Sequence, residues 1–204
     1  MSVSEDREVT PAVSPAAPAA SIADPGPLGL AAFALTTFLL SAVNAHWTNG
    51  NSAGTAFLGY AFAYGGLCQL LAGMWEFRRG NVFAATAFSS YGGFWIGLFV
   101  WIRVAPAATG HDLGWILLAF AIFNTYMLLM ATQVNLAVFL VFLTLELTEI
   151  FLFIGNFTSN AGLSQVGGYL GVITALVAWY TSAAGVSGGI GGRIILPVGK
   201  PLIS

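Results

Sequence analysis

Six long apolar stretches constrain the fold of this chain more than any other feature of its sequence. Each is about 20 residues long, which is the length that a helix needs to cross the hydrocarbon core of a bilayer. The stretches cover residues 28–47, 53–75, 82–102, 113–131, 136–154 and 166–190. Strict alternation of apolar and polar residues, which would indicate a β-barrel, is absent from them. The sequence therefore predicts an all-α membrane protein with a six-transmembrane-helix bundle in each protomer.

The composition supports a membrane location and excludes several partners. Of the 204 residues, 57% are hydrophobic and 7% are charged, whereas a soluble domain typically carries about a quarter charged residues. The formal net charge of −2 is too small to indicate a nucleic-acid partner. Cys68 is the single cysteine, so no intrachain disulfide can form. The lipid bilayer is the partner that the composition predicts.

The basic residues predict the orientation of the bundle and the boundaries of its tails. Five of the six fall on one side of the predicted topology and one on the other; they are Arg7, Arg78, Arg79, Arg193 and Lys200, against Arg103. By the positive-inside rule, both termini are expected in the cytoplasm of a multi-pass plasma (inner) membrane protein. We expect residues 1–23, rich in proline and alanine, to form a disordered cytoplasmic tail. Residues 24–192 would form the transmembrane domain and residues 193–204 a cytoplasmic C-terminal tail.

A proline-rich stretch leads from the N-terminal tail into the first span. It reads Asp24, Pro25, Gly26, Pro27, Leu28, Gly29, Leu30. Because its prolines fix φ and withhold backbone donors, we expect the helix to begin at or just after Pro27. Its first free N–H groups would lie near Gly29 and Leu30 and carry partial positive charge. Plain helix capping explains this pattern, and composition alone favours it. The functional alternative is an entrance for a small anion.

The sequence offers no constellation that indicates catalysis. The two histidines, His46 and His111, stand at span ends, and no His, Cys and carboxylate cluster has the spacing of metal ligands. A Ser–His–Asp set and a phosphate-binding Gly–Lys motif are also absent. We therefore expect a protein that is not an enzyme and that needs no metal or cofactor.

Polar side chains inside the predicted spans mark candidate positions along a pathway. These candidates are Thr37, Asn44, Gln69, Thr86 and Ser90. Each is equally compatible with a hydrogen bond to a neighbouring helix or to its own backbone. Phe33 shares a helix face with Thr37 and Asn44. Tyr91 differs in kind, because a large ring with one polar tip can both narrow a pore and donate to a carboxylate.

Two acidic residues near the centre of the fifth span are the least expected feature of the sequence. The i, i+3 spacing of Glu146 and Glu149 places both on one helix face. An ionised acid at that depth costs about 2.5–3.5 kcal/mol, so these groups should be protonated, paired or hydrated. A proton-carrying site and a polar contact between helices or protomers both fit the pattern. On the first interpretation, Glu146→Gln is predicted to flatten the pH dependence of uptake.

Four ordered blocks of this sequence resemble the acetate uptake transporter family, which includes the succinate–acetate permeases. Residues 24–30 resemble its signature Asn-Pro-Ala-Pro-Leu-Gly-Leu, with Asp24 in place of the leading Asn. Tyr64 and the two glycines after it, followed by Gln69, Gly73 and Glu76, are similar to the second span of that family. Residues 79–83 and 86–95 resemble its third span, and residues 192–199 its C-terminal motif.

The resemblance implies a hexamer with a pathway in each protomer. It also implies transport of acetate and related small monocarboxylates, and of succinate in some members. The hydrophobic constriction of the family corresponds to Phe33, Tyr91 and Leu145 here, and Glu146 stands beside it. We therefore expect proton-linked carboxylate transport by a homo-hexamer. The alternatives are a passive channel for small neutral solutes such as ammonia, urea or water, and a membrane scaffold or sensor whose glycine faces only pack.

Overall fold

The computed structural model describes residues 22–48, 57–105, 109–191 and 194–203. Within these ranges the regular structure is entirely helical, and six helices are long and apolar enough to cross a membrane. They are α1 (Gly26–Asn44), α2 (Phe57–Arg79), α3 (Val82–Val104), α4 (Gly110–Ala131), α5 (Leu136–Phe157) and α6 (Ala161–Gly189). The predicted all-α, six-helix class is confirmed. Of the predicted N-terminal tail, the structure describes only Ile22 and Ala23. Arg7 and Arg193 also lie outside the described residues.

Polar capping residues set where several of the helices begin. Helix α6 begins at Ala161 rather than at residue 166, where the side chain of Asn160 accepts a hydrogen bond from the N–H of Leu163. Asn135 caps α5 in the same way through the N–H of Val138. A side-chain oxygen at this position satisfies one of the free N–H groups of the first turn. Hydropathy alone therefore finds the spans but misplaces their ends.

The start of α1 differs from the prediction. The helix begins at Gly26 with Pro25 as its cap, one residue before the predicted start at Pro27. Proline is tolerated at this point because the N–H that it lacks would have no partner in the first turn. The N–H of Gly29 donates to the carbonyl of Pro25 over 3.1 Å, so the predicted free donor at Gly29 is already used.

The six helices form a ring when the bundle is viewed along its axis. Helix α1 packs against α2 and α6, α5 lies between α6 and α4, and α2 packs against α3. The ring closes where α3 and α4 meet, and there the backbones approach each other least. Aromatic side chains bridge that seam, since the rings of Phe94 and Phe120 lie 4.7 Å apart between centroids. The interior of the ring is lined mainly by α1, α2, α3 and α5, with Leu117 from α4.

Glycines allow the backbones in this ring to approach closely. A Cβ atom at Gly65 of α2 would lie 2.8 Å from Thr36 Cβ of α1. At Gly168 of α6, a Cβ atom would lie 2.7 Å from the carbonyl carbon of Asn44 and 2.9 Å from Ala45 Cα. Packing in lipid relies on such contacts, because burial of apolar surface alone does not hold membrane helices together.

Substitution of Gly168 is expected to loosen the contact between α1 and α6. Its Cβ atom would meet the backbone of α1, which cannot move aside as a flexible side chain does. Gly168→Leu should lower the free energy of unfolding by about 1–3 kcal/mol, which thermal unfolding in detergent would detect. Gly59→Leu is the matched control, since a Cβ atom at Gly59 of α2 meets nothing within 4 Å. Equal stability of the two variants would contradict the close packing.

A π-helical segment inside α2 sets which residues face the axis. It runs from Ala61 to Cys68 and ends directly before Gln69. Wider π turns rotate the helix that follows them, and such segments are frequent at functional sites. In α2 the turns after this segment bury Gln69, Gly73 and Glu76, which share one face at i, i+4 and i+7 spacing.

The C-terminal segment packs against the bundle. Residues 194–203 run without regular structure past the turn between α4 and α5. The carbonyl of Val198 accepts from the N–H of Ala137 over 2.9 Å, and the N–H of Leu202 donates to the carbonyl of Thr132 over 2.8 Å. The segment thus satisfies free backbone groups at the end of α4 and the beginning of α5.

Candidate functional site

Two cavities lie end to end inside the ring of helices. The larger one, of about 190 Å³, extends inward from Asp24 and Asn81, at the end of the bundle where α1 begins. The smaller one, of about 40 Å³, lies toward Asn44, at the opposite end of α1. The residues that line both cavities are Phe33, Tyr91 and Leu145. We call these three side chains the neck, because they form the partition between the larger and the smaller cavity.

The neck is apolar and tightly packed. Phe33 of α1, Tyr91 of α3 and Leu145 of α5 are between 4% and 6% exposed. The rings of Phe33 and Tyr91 meet edge to face, with centroids 5.8 Å apart. Phe120 and Phe123 of α4 hold the ring of Tyr91 from the other side at 5.8 and 5.5 Å. The structure therefore brings together the three residues that the resemblance to the acetate uptake transporter family implies, and their role as a constriction stays a prediction.

The polar candidates from the sequence separate into two groups. Gln69 lines the larger cavity, and Thr37 and Asn44 line the smaller one. Gln69 Oε1 and Thr37 Oγ1 are buried and have no partner among the described residues, so each can bind a solute or a water molecule. Thr86 lines neither cavity, and Ser90 lines a groove between α3 and α4 on the outside of the bundle. Helical periodicity did not distinguish these two positions from those facing the axis.

An ion pair stands at the outer end of the larger cavity. Asp24 Oδ1 accepts hydrogen bonds from the N–H of Gly26 over 3.0 Å and from Arg79 Nη1 over 2.5 Å. Arg79 Nη1 also lies 3.6 Å from Oε2 of Glu76, which is 1% exposed. An aspartate and an asparagine both supply the oxygen that holds the Gly26 N–H, which accounts for Asp24 at the first position of the signature. Arg79 offsets the charge of that acid.

A hydrogen-bonded network joins the neck to Glu146 and Glu149. The Tyr91 hydroxyl lies 2.9 Å from Asn124 Oδ1 and 3.5 Å from Glu149 Oε1. Asn124 Nδ2 donates to Glu146 Oε2 over 2.7 Å and to the carbonyl of Phe142 over 3.0 Å. Asn124 is 0% exposed, so the centre of this network is buried, whereas its Glu146 end is half-buried. It connects α3, α4 and α5 at the level of the neck.

The two glutamates have different surroundings. Glu146 is half-buried, lines neither cavity and accepts from Asn124 Nδ2 and, over 2.8 Å, from Thr125 Oγ1. Glu149 is 5% exposed and lines the smaller cavity, and its Oε2 has no partner among the described residues. The part of the chain that the structure describes shows no ion pair with either acid. Because a buried charge without partners is costly, Glu149 is suited to the neutral acid form.

Asn124 and Glu76 are the site residues that sequence reasoning did not place in a pathway. Asn124 was overlooked, although it is the one asparagine in the fourth apolar stretch and such residues usually have a hydrogen-bonding role in a membrane. Glu76 lies one residue beyond the second apolar stretch, so hydropathy does not place it inside a span. Among the described residues, no group of three His, Cys, Asp or Glu side chains is placed to hold a metal ion.

Comparison with known proteins decides the family. The model of the GPR1/FUN34/yaaH family matches residues 6–198. The chain belongs to the GPR1/FUN34/yaaH family. This member is 38% identical to acetate permease A of Emericella nidulans, over 94% of this chain and 70% of that protein. It is 34% identical to the succinate-acetate/proton symporter SatP of Escherichia coli, over 88% of this chain and 96% of that protein. The resemblance recognised in the sequence is thereby confirmed.

Other members of the GPR1/FUN34/yaaH family differ in name and length. Ammonia transport outward protein 2 of Saccharomyces cerevisiae is 39% identical over 88% of this chain. The chain spans about two thirds (66%) of the length of that yeast relative. The structure of the bacterial acetate channel SatP superimposes with a TM-score of 0.82 at 32% identity, and covers 88% of this chain and 100% of that one. The fold of this family member is therefore that of a known channel.

Proposed function

We propose that this protein carries acetate and related small carboxylates across a membrane, through a pathway inside each six-helix bundle. The observation that carries the proposal is the pair of cavities that meet at the neck of Phe33, Tyr91 and Leu145. Relatives named as an acetate permease and a succinate-acetate/proton symporter support the choice of solute. The pathway would run from Asp24 through the larger cavity, past the neck, to the smaller cavity near Asn44.

The polarity of this pathway favours movement of a proton together with the anion. A bare carboxylate that leaves water for an apolar neck must lose the hydration of its charge without compensation, whereas neutral acetic acid has no charge to desolvate. Gln69 and Thr37 offer hydrogen-bonding atoms on the two sides of the neck. Glu149 lines the smaller cavity and is the titratable group best placed to exchange a proton with the solute there. Succinate would require two carboxylates to be neutralised, so monocarboxylates should pass more readily.

A passive channel for small neutral solutes is the second candidate. An apolar, aromatic neck without a charged side chain admits small neutral solutes such as ammonia, urea or water. The name of ammonia transport outward protein 2 supports this alternative. On this mechanism the glutamates only hold helices together, and transport depends on neither the proton gradient nor their titration.

The assembly and location of the protein are part of the proposal. We expect a homo-hexamer in the plasma membrane with both termini in the cytoplasm. Gly93 and Gly97 on the outer face of α3 have open space around them, which leaves room for a neighbouring helix. Crosslinking in native membranes would test the number of protomers, and labelling of a cysteine placed at residue 203 would test the orientation.

Uptake of labelled acetate into proteoliposomes tests the transport function directly. The purified full chain should accumulate acetate above equilibrium under an inward proton gradient and lose that accumulation when the gradient is collapsed. Equilibration regardless of the gradient, together with ammonia permeation, would favour the passive channel. A folded oligomer that moves neither solute would refute both candidates.

Arg79 is expected to lower the energy barrier to anions at the mouth of the larger cavity. Without it, Asp24 and Glu76 would present two carboxylates and no cation there. Arg79→Gln should raise the KM for acetate by roughly threefold to tenfold at low ionic strength and less in high salt. Arg78→Gln is the control, since Arg78 forms no ion pair with a described residue. An equal effect of both substitutions would point to a general surface potential instead.

A further inference from the structure

The side chain of Asn124 lies between the two glutamates, and both of its amide hydrogens are used in hydrogen bonds. An amide group carries two N–H hydrogens and one carbonyl oxygen. One hydrogen goes to the carbonyl of Phe142 and the other to Glu146 Oε2. The oxygen is therefore the atom that faces the Tyr91 hydroxyl, 2.9 Å away. The contact with Phe142 fixes the orientation of the amide, since exchange of its oxygen and nitrogen would place the amide oxygen against a carbonyl oxygen that can only accept.

The orientation of Asn124 decides where the Tyr91 hydroxyl points its hydrogen. A phenol has one hydrogen to donate, and the two acceptors within reach are Asn124 Oδ1 at 2.9 Å and Glu149 Oε1 at 3.5 Å. With the hydrogen on Asn124, the lone pairs of the hydroxyl face Glu149. Glu149 can then form a hydrogen bond to Tyr91 only by donating, which requires its carboxyl group to be protonated.

We propose that Asn124 is a positioning residue that makes Glu149 the proton-carrying acid of the pathway and holds Glu146 as a hydrogen-bond acceptor outside it. Glu146 receives donors from Asn124 and Thr125, whereas Glu149 receives none from Asn124. This assignment rests on the proposed function in one respect, that a proton accompanies the carboxylate. It adds a residue, and a division of labour between the two acids, which the proposed function does not contain.

Proton exchange with the solute would proceed by rotation of one hydroxyl group. When the O–H bond of Glu149 breaks and an O–H bond of acetic acid forms, the Tyr91 hydroxyl turns its hydrogen from Asn124 Oδ1 to the new carboxylate. Return of a proton to Glu149 reverses both changes. Asn124 itself gives up no proton, and Tyr91 keeps its own.

The groups around Glu149 contain few competing titratable side chains. Helix α3 presents Tyr91, α5 presents Glu146, and α4 contributes Tyr126, whose ring packs against that of Phe123. The other polar side chains from the helices packed around it are Thr37 and Ser41 of α1, Asn124 of α4, Thr148 of α5 and Thr174 of α6. None of these titrates near neutral pH. A change in protonation at this depth can therefore be assigned to one of the two acids.

Infrared difference spectroscopy of the purified full chain tests the assignment without relying on transport. The carbonyl band of a protonated carboxylic acid should be present in the native protein, absent from Glu149→Gln and retained in Glu146→Gln. Asn124→Leu should move the pH midpoint of that band to lower pH by about one unit, a tenfold change in equilibrium, because the Tyr91 hydrogen becomes free for Glu149. Thr125→Val is the matched control, which removes the other donor to Glu146 and should leave the midpoint in place.

A double substitution shows whether Asn124 acts through Tyr91. In a Tyr91→Phe background, Asn124→Leu should have no further effect on the band midpoint, because the hydroxyl that it positions is gone. Additive shifts would overturn the proposal and assign the effect to Glu146 alone. If Asn124→Leu does not fold, Tyr91→Phe alone still tests the contact, since loss of the partner should change the frequency of the Glu149 band; an unchanged band would overturn the proposal.

The uptake assay separates failure of this inference from failure of the proposed function. A native protein with the Glu149 band and the expected shift in Asn124→Leu, but without acetate uptake, would refute the transport function and keep the role of Asn124. Proton-driven uptake together with an acid band that belongs to Glu146 would support the transport function and refute the role of Asn124.

Discussion

Replacement of Leu145 by tryptophan is expected to reduce acetate uptake by at least about tenfold, because hydrophobic constrictions control passage through narrow pores. Leu145 is 6% exposed and contributes the α5 side of the neck that separates the two cavities. An indole ring there would fill the space between Phe33 and Tyr91, which the structure leaves to a much smaller side chain. The measurement is the initial rate of labelled-acetate uptake at equal amounts of folded protein.

The control for this experiment places the same side chain on the exposed outer face of the bundle. Ile122 is 62% exposed on α4, so Ile122→Trp should leave uptake unchanged. Leu145→Ala extends the test in the opposite direction, since a wider neck should admit larger carboxylates such as lactate. A correctly folded Leu145→Trp protein with native uptake would show that solutes bypass the neck.

The fold was predictable from the sequence because each membrane helix can be recognised from its own residues. Each span is set by its own length and hydropathy, and these depend on no distant residue. The ends of α1 and α6 were less predictable, since they depend on the hydrogen bonds of Gly26 and Asn160 rather than on hydropathy. The order of helices around the ring was not predictable from hydropathy, because small residues show that a face packs but not which helix it packs against.

The candidate site was predictable where a residue is recognisable in isolation or through the family resemblance. Glu149 and Tyr91 are conspicuous in an apolar span; Tyr91 lies where the cavities meet, and Glu149 lines the smaller one. Ser90 and Thr86 were indistinguishable from Thr37 by periodicity, since only the position of neighbouring helices decides which face meets the axis. The importance of Asn124 depends on three helices at once, so its contacts could not be derived from α4 alone.

Glu149→Gln is expected to abolish accumulation of acetate above equilibrium while leaving downhill uptake in place. Sequence reasoning attached the loss of pH dependence to Glu146, and the geometry favours Glu149 because only this acid lines the smaller cavity. A glutamine keeps the size of the side chain and can still donate to Tyr91, but it cannot exchange a proton at neutral pH. Uptake should then no longer rise as the external pH falls, beyond the rise in the acetic acid concentration itself.

Glu146→Gln provides the comparison, since it removes an acid of the same type at the same depth. Its side chain lines neither cavity and is held by Asn124 and Thr125, so we expect it to retain more of the proton-driven accumulation than Glu149→Gln does. Loss of accumulation in both variants would indicate that the two acids titrate as a coupled pair. Accumulation that survives in a folded Glu149→Gln protein would place the travelling proton on the solute, because an apolar neck passes acetic acid without help from a protein carboxyl group.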